Sequence, residues 1–463
     1  MTPTDASAQP WADAVRLARQ VPPIRDFPAV DALLASFDAL VARHPGLASS
    51  RRIGTSRLGE PIPMVSIGHG RRQHLMFAGV HPNEPVGFRT LEHLARLLCE
   101  DDALRERLDA TWHLVPCIDP DGTRLNEGWF AEPTSRTEYA RRFYRPAPDE
   151  QVEWTFPFAH KDAWFDAVLP ETQALMRVID ELRPDLMVSL HNSEMGGVYY
   201  YLTEAIPGAV EALHAVPAAL GLPLDTGEAE SPSVRPHAPG VYRSMAMADQ
   251  YDYLESLGLD AAAFVGGDSS AAYAARHGTL TLVAELPYWS HPAAGDTTPT
   301  ATSYRDAVAA KAAGLLDLGE ALGGILAEAA DDLTIRSPFL RASEAFIPLI
   351  ASMGEHERDR AARPEADRPA TAAEVFSNAD VVHSFRLRNG CVLLRALDAE
   401  VTAGVATVRV RRLRQRLARI VDGWAAEADR VEGLATLDIA RLVGVQLGAT
   451  LAMARCLVDN DTR

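Results

Sequence analysis

Between residues 30 and 44 (VDALLASFDALVARH) the apolar positions Leu33, Leu34, Phe37, Leu40 and Val41 fall at helical spacing, and Pro45-Gly46 ends the run. Shorter apolar runs follow, separated by turn residues. Ser50–Gly54 and Ile62–Gly68 read as strands joined through Gly59-Glu60-Pro61. Gln73–Val80 reads as a central strand that stops at His81-Pro82-Asn83-Glu84. Pro85 stands where a helix begins, and Val86–Glu100 carries helical spacing. The rhythm continues with a strand at 111–117, a helix at 175–181 and strands at 186–190, 199–203 and 278–286. Strands alternating with helices in this way predict an α/β domain, a mixed twisted sheet with helices on both faces. In such sheets ligands sit outside the carboxyl ends of strands, and His81, His191 and Glu285 fall at or near such ends.

The pattern changes after about residue 335, which makes 1–335 the predicted catalytic domain. Residues 336–372 include the charged, proline-broken stretch GEHERDRAARPEADRPATA and predict an irregular linker or long loop. Residues 373–463 predict a mainly helical C-terminal extension. Within it, 405–431 places Leu413, Leu417, Ile420 and Trp424 on one face and a run of arginines on others, and 434–458 is a second, more apolar helix. The expected arrangement is a helical hairpin. Its apolar faces are too large to leave in water, so they must cover the catalytic domain or a second subunit, and a homodimer through them is the expected assembly.

Net charge is −18 over 463 residues, which excludes nucleic acid and an anionic membrane as main partners. The four cysteines (Cys99, Cys117, Cys391, Cys456) form no C-x-x-C and are too few for a disulfide framework. The first residues, MTPTDASAQPW, lack the basic and apolar regions of a secretory signal, so a reducing cytoplasm is the expected compartment. The most apolar stretch, Leu442 to Val458, contains Gln446, Thr450 and Arg455 and reads as a buried helix, with no membrane span expected.

Candidate chemistry begins at the turn after the 73–80 strand. His81 and Glu84 are three residues apart, and a turn can bring an imidazole nitrogen and a carboxylate to one cation at ~2.0–2.2 Å. A third protein ligand is required, and His191, at the end of the strand DLMVSL, is the best placed. Two histidines and a glutamate with one open position is a catalytic zinc pattern. There is no H-E-x-x-H, no P-loop and no G-x-S-x-G elbow.

The run HPGLASSRRIGTSRLGEPIPMVSIG (44–68) followed by HLMFAGVHPNEPVG (74–87) resembles the opening of the zinc carboxypeptidases related to carboxypeptidase A. PCIDPDG (116–122) is similar to that family's N-P-D-G segment, with Asp119 where Asn is usual. SLHNSE (189–194) is similar to its third-ligand strand, and GGDSSAAYAARHGTLTLVAEL (266–286) to the segment ending on its general base. The resemblance covers about residues 30–320. It implies one zinc per chain on His81, Glu84 and His191, and Glu285 as general base and proton shuttle. It further implies hydrolysis of a C-terminal residue from a peptide or peptide-like substrate with a free carboxylate.

Other segments depart from the family pattern. RTEYARRFYRP (136–146) resembles the family's carboxylate-clamp segment, with Ala140 in place of its asparagine and Arg141 matching its arginine. Arg142 lies beside it, and an alternative placement reads Leu125-Asn126-Glu127 as the pair. Arg124, just after the D-P-D-G turn, is the oxyanion candidate. Arg124, Arg136, Arg141, Arg142 and Arg145 together supply a cationic funnel for an anionic substrate. The family's covering tyrosine is replaced by Ala261-Ala262-Ala263-Phe264, leaving Tyr251 or Tyr253 as substitutes. The aromatics of 129–164 wall the cleft or pack in the core. The alternatives to a carboxypeptidase are an amidase or deacylase of small N-acyl amino acids on the same chemistry, or an inactive binding protein.

Overall fold

The computed structural model describes residues 11–133, 135–258, 260–263 and 266–461. Nine strands form one sheet: β1 (Ala48–Thr55), β2 (Pro61–Ile67), β3 (Arg72–Ala78), β4 (Ala110–Val115), β5 (Leu186–Leu190), β6 (Tyr199–Leu202), β7 (Pro236–Ala238), β8 (Val241–Arg243) and β9 (Leu280–Glu285). Their spatial order is β1-β2-β4-β3-β5-β9-β6-β8-β7. The central strands β4, β3, β5 and β9 run parallel, and antiparallel pairs lie to either side. Every residue of β5 and β9 is buried, which is why their sequences are mostly apolar, broken only by Ser189, Thr281 and the terminal Glu285, rather than alternating.

The helices that frame the sheet and the cleft are α1 (Ala12–Arg19), α2 (Val30–Arg43), α3 (Val86–Glu100), α4 (Pro170–Leu182), α5 (Ala209–Ala219), α6 (Tyr304–Ala329), α7 (Pro338–Ala361), α8 (Ala372–Thr402), α9 (Val408–Ala428) and α10 (Ile439–Asp461), and a further helix spans Met247–Ser256. Alternation along β3 divides the core. Leu75 and Phe77 pack with Leu175 and Ile179 of α4, while Met76 and Ala78 face the side that holds α3 and α10. The mixed sheet with helices on both faces and a C-terminal helical region is the expected fold class.

The boundaries after residue 300 differ from the sequence reading. Residues 338–361 are the 24-residue helix α7, where an irregular linker was expected. Its charges pair along the helix, Glu355 with Arg358 and Glu357 with Arg360, and Lys311 of α6 reaches Glu357 at 2.9 Å. A charged helix face satisfied in this way has the composition of a solvated loop. Beyond α7, Pro369–Thr371 pairs with Pro299–Ser303 as a small separate ribbon. The expected hairpin of the last two helices does not form. α9 packs on α8, whereas α10 inserts against α1, α3 and α5 on the sheet. α10 is long and apolar enough to cross a membrane, but 78% of its most apolar window is buried inside the chain. The apolar area that motivated a dimer is thus largely covered within the chain.

Three buried histidines are expected to make the fold acid-sensitive. His74 of β3 lies edge-on to Trp112 at 4.6 Å with neither ring nitrogen partnered, and burial, then Arg72 and His113, push it down to about 3. Burial also holds His93 and His113 down to about 4. The unfolded chain takes up these protons near pH 6.5, and the folded chain does not until the pH is far lower. Their contribution to stability is therefore intact above pH 6.5 and is lost as pH falls toward 3–4. For His74 this amounts to about 2–3 kcal/mol between pH 6.5 and 4.5, at ~1.4 kcal/mol per unit. Urea unfolding of His74→Leu should lose correspondingly less stability over that interval than wild type, and an identical pH slope would remove His74 from the account.

Candidate metal centre and its cleft

The turn that follows β3 is built by steric necessity. Gly79 sits at φ +69°, and a Cβ there would meet Cys117 Sγ at 3.0 Å and the Phe88 ring at 3.1 Å. Gly87, in the first turn of α3, lies so close to β5 that a Cβ would meet Leu190 at 2.7 Å. The start of α3 is thereby clamped against the strand end that carries His191. Glu84 N donates to His81 O at 3.0 Å, folding both side chains of the turn to the same side.

The three expected ligands come together. His81 Nδ1 is 3.2 Å from Glu84 Oε1, and His191 Nδ1 is 3.3 Å from Glu84 Oε2. The two imidazoles stand nearly perpendicular with centroids 4.6 Å apart, and donor atoms of all three residues lie within 4.8 Å of one another. All three are buried. Ser189 Oγ lies 2.9 Å from His191 Nε2 and so directs Nδ1 inward. Asn192 N donates to Glu84 Oε2 at 3.2 Å. Two inward nitrogens and one carboxylate match the donor set of a catalytic zinc, so the residues present fit that ion. Burial and Arg145 push His81 down to about 3. At His191 burial is outweighed by Glu84, which raises it to about 9. Burial opposes ionisation of Glu84, but His81 and Arg145 prevail and hold its carboxyl well below the usual range.

Glu285 closes β9 beside this cluster, with Oε1 3.5 Å from His191 Nδ1. It is 7% exposed, and burial, with Glu84 and Glu230 adding to it, raises its carboxyl well above the usual range despite His191. Arg145 reaches the same point from the other side, its Nη1 2.8 Å from Glu84 Oε1. Asn126 sets that approach. Its carboxamide accepts from Tyr144 N and donates to Tyr144 O, both at 2.9 Å, fixing the backbone just before Arg145.

The remaining arginine expectations are corrected by geometry. Arg124 is held by Glu60 at 3.0 Å and Asp31 at 2.7 Å, away from the cleft. Arg141 pairs with Asp422 of α9 at 2.8 Å, and Arg142 donates to Gly128 O at 2.9 Å on the surface. Neither lines the cleft, nor does Asn126, which is fully buried and bonded to backbone. Arg136 is consumed by Asp380 and Ser384 of α8. Of the five arginines, only Arg145 faces the metal ligands. The sequence offered a signal for it in the Tyr144-Arg145-Pro146 segment, but no spacing singled it out.

Tyr251 packs against His160 and Tyr253 lies on the same helix, and neither lines the cleft; Phe264 is outside the described residues. The cleft tyrosines are instead Tyr199, Tyr201 and Tyr242, the first two donating to Glu230 at 2.6 and 2.9 Å. Trp129, Phe130 and Tyr139 form an edge-to-face cluster in the core, while Trp154 lines the cleft. Ser270 Oγ bonds Glu153, and no imidazole approaches it among the described residues. The cleft encloses about 530 Å³. Its far wall is made by α6, α7 and α8, through Lys311, Met353, Arg360, Phe376 and Arg388.

Comparison with known proteins agrees with this geometry. Residues 33–211 match the zinc carboxypeptidase family model. Mouse and rat carboxypeptidase Z are each 26% identical over 183 residues, covering 33% of this chain and 28% of theirs. The chain therefore spans little more than a quarter of the length of these curated relatives. Among solved structures, a metallo-carboxypeptidase from Burkholderia cenocepacia aligns at 19% identity and TM-score 0.33, covering 56% of this chain and 60% of that one. One from Pseudomonas aeruginosa aligns at 22% and 0.30, covering 54% and 58%. Glu285 and the whole helical region lie beyond the matched segment. Residues 33–211 are thus similar to the domain of a zinc-dependent carboxypeptidase family, and they contain His81, Glu84 and His191, the candidate metal site.

Proposed function

We propose that the protein is a zinc-dependent hydrolase that removes the C-terminal residue from a short peptide or peptide-like substrate. The observation that carries this reading is the convergence of His81, Glu84 and His191 with Glu285 and Arg145 at one end of one cleft. His81, Glu84 and His191 would hold a zinc ion, which would supply the Lewis acidity that makes water a nucleophile near neutral pH. Glu285 accepts the proton of the attacking water and returns it to the departing amine. Burial makes its carboxylate a stronger base than an exposed one, which suits a group that takes a proton and then returns it. Arg145 presents a guanidinium to the negative charge of the substrate, either its carboxylate or the oxygen of the carbonyl under attack.

The wall formed by α6, α7 and α8 argues for short substrates. A volume of about 530 Å³ suits a ligand of drug or small-peptide size. The same wall supports the second reading, an amidase or deacylase of small amino-acid conjugates. The test is a set of matched N-acylated dipeptides as free acids and C-terminal amides, assayed with zinc and after chelation. We expect zinc-dependent cleavage of the free acid, with kcat/KM at least ~10²-fold above the amide, as loss of a buried charged partner implies. Equal values for both forms would transfer the assignment to the amidase reading, and full turnover by the chelated protein would defeat both.

A further inference from the structure

The long apolar helix α10 carries a buried carboxamide among hydrophobic neighbours. Gln446 of α10 is 0% exposed, among Leu442, Val443, Val445, Leu447, Ala449 and Leu451, all buried. A carboxamide in such a place costs several kcal/mol unless both of its ends are hydrogen-bonded. Both are. Its Nε2 donates to the backbone carbonyl of His191 at 2.6 Å. Its Oε1 accepts from Thr90 Oγ1, also at 2.6 Å. A carbonyl can only accept, so the amide orientation follows from its neighbours.

These two partners belong to the two chain segments that carry the metal ligands. Thr90 lies in the second turn of α3, which begins directly after the His81–Glu84 turn. His191 follows β5, and its carbonyl lies just past the end of that strand. Gln446 thus ties the helix behind one ligand pair to the backbone of the third ligand. It does so from a helix more than 200 residues beyond the matched family segment.

We propose that Gln446 is a positioning residue for the metal centre: by bridging Thr90 and the His191 carbonyl, α10 fixes where His191 stands relative to His81 and Glu84. The C-terminal helix is then part of the metal site. This inference rests on the reading of His81, Glu84 and His191 as metal ligands. Its consequence is a specific coupling, in which metal affinity depends on one amide of a helix that contributes no ligand.

The experiment compares wild type with Gln446→Met, which keeps shape and removes both hydrogen bonds, and with Thr90→Val, which removes only the donor to Oε1. Zinc affinity is measured by competition with a chromophoric chelator, cobalt is added as a spectroscopic reporter of ligand geometry, and Tm is recorded for metal-free and zinc-loaded protein. We expect Gln446→Met to bind zinc ~10–100-fold more weakly, as loss of a group supporting a ligand does. The cobalt bands should shift, and the rise in Tm on adding zinc should shrink. Thr90→Val should show the same changes to a smaller degree. A structural role alone would lower both Tm values together and leave zinc affinity and the cobalt spectrum as in wild type, and that result overturns the inference. If Gln446→Met does not fold, the decision passes to Thr90→Val, where unchanged affinity and spectrum overturn it equally. Wild type that binds no zinc at all would remove the metal reading and this inference with it.

Discussion

Glu285→Gln should retain the fold and the zinc while losing about 10²–10⁴-fold in kcat. The substitution is nearly isosteric, and Glu285 is not one of the three clustered donors. Its carboxylate stands 3.5 Å from His191 and is raised by burial and by the nearby Glu84, so a neutral amide is no less comfortable there. Thermal stability should stay at or slightly above wild type. What the amide lacks is basicity. It cannot take the proton of the attacking water, and with no proton to return, amine departure is slowed as well. The measurement is kcat on a free-acid dipeptide beside the zinc content of the same preparation. Turnover within a few-fold of wild type would assign the base to another carboxylate on the cleft wall, with Glu153 and Glu230 the candidates.

The sequence revealed those parts of the fold in which local pattern and final environment coincide. The β3 strand, the His81–Glu84 turn and α3 are contiguous, and Gly79, Pro85 and Gly87 mark the turn with backbone requirements that few other residues meet. Ligands on or beside such a motif can be read directly. Arg145 could not be, because its role depends on Asn126 seizing the backbone of Tyr144, a contact across 18 residues with no periodic signature. The arginines that looked equivalent in sequence were separated by partners far along the chain, Asp31 for Arg124 and Asp422 for Arg141. α7 was missed for a related reason. Its charges look like those of a solvated linker until Lys311 and Arg360 are seen to neutralise Glu357. The expected hairpin of α9 and α10 failed because adjacency in sequence does not decide which apolar face a helix covers; α10 fills the groove between α1, α3 and α5. Gln446 was visible as a polar residue in an apolar helix, but its partners were not.

Arg145→Met should reduce kcat/KM by about 10²-fold or more, the usual cost of removing a charged donor from a site where negative charge is bound or develops. Methionine preserves the aliphatic stem, so packing along it is retained and the loss reports on the guanidinium. Arg145→Lys should rescue little, because an ammonium cannot reproduce the planar fork that reaches Glu84 at 2.8 Å while Nε is 3.3 Å from Gln151. The division of the loss identifies the role. A rise in KM confined to free-acid substrates means the guanidinium holds the substrate carboxylate, whereas a fall in kcat shared by acid and amide means it stabilises the carbonyl oxygen under attack. Arg124→Met and Arg141→Met serve as controls and should stay within about twofold of wild type, since exposed pairs such as theirs contribute ~0–1 kcal/mol. A large loss in Arg124→Met, with Arg145→Met near wild type, would mean that the substrate approaches the three ligands from the side where Arg124 meets Glu60 and Asp31.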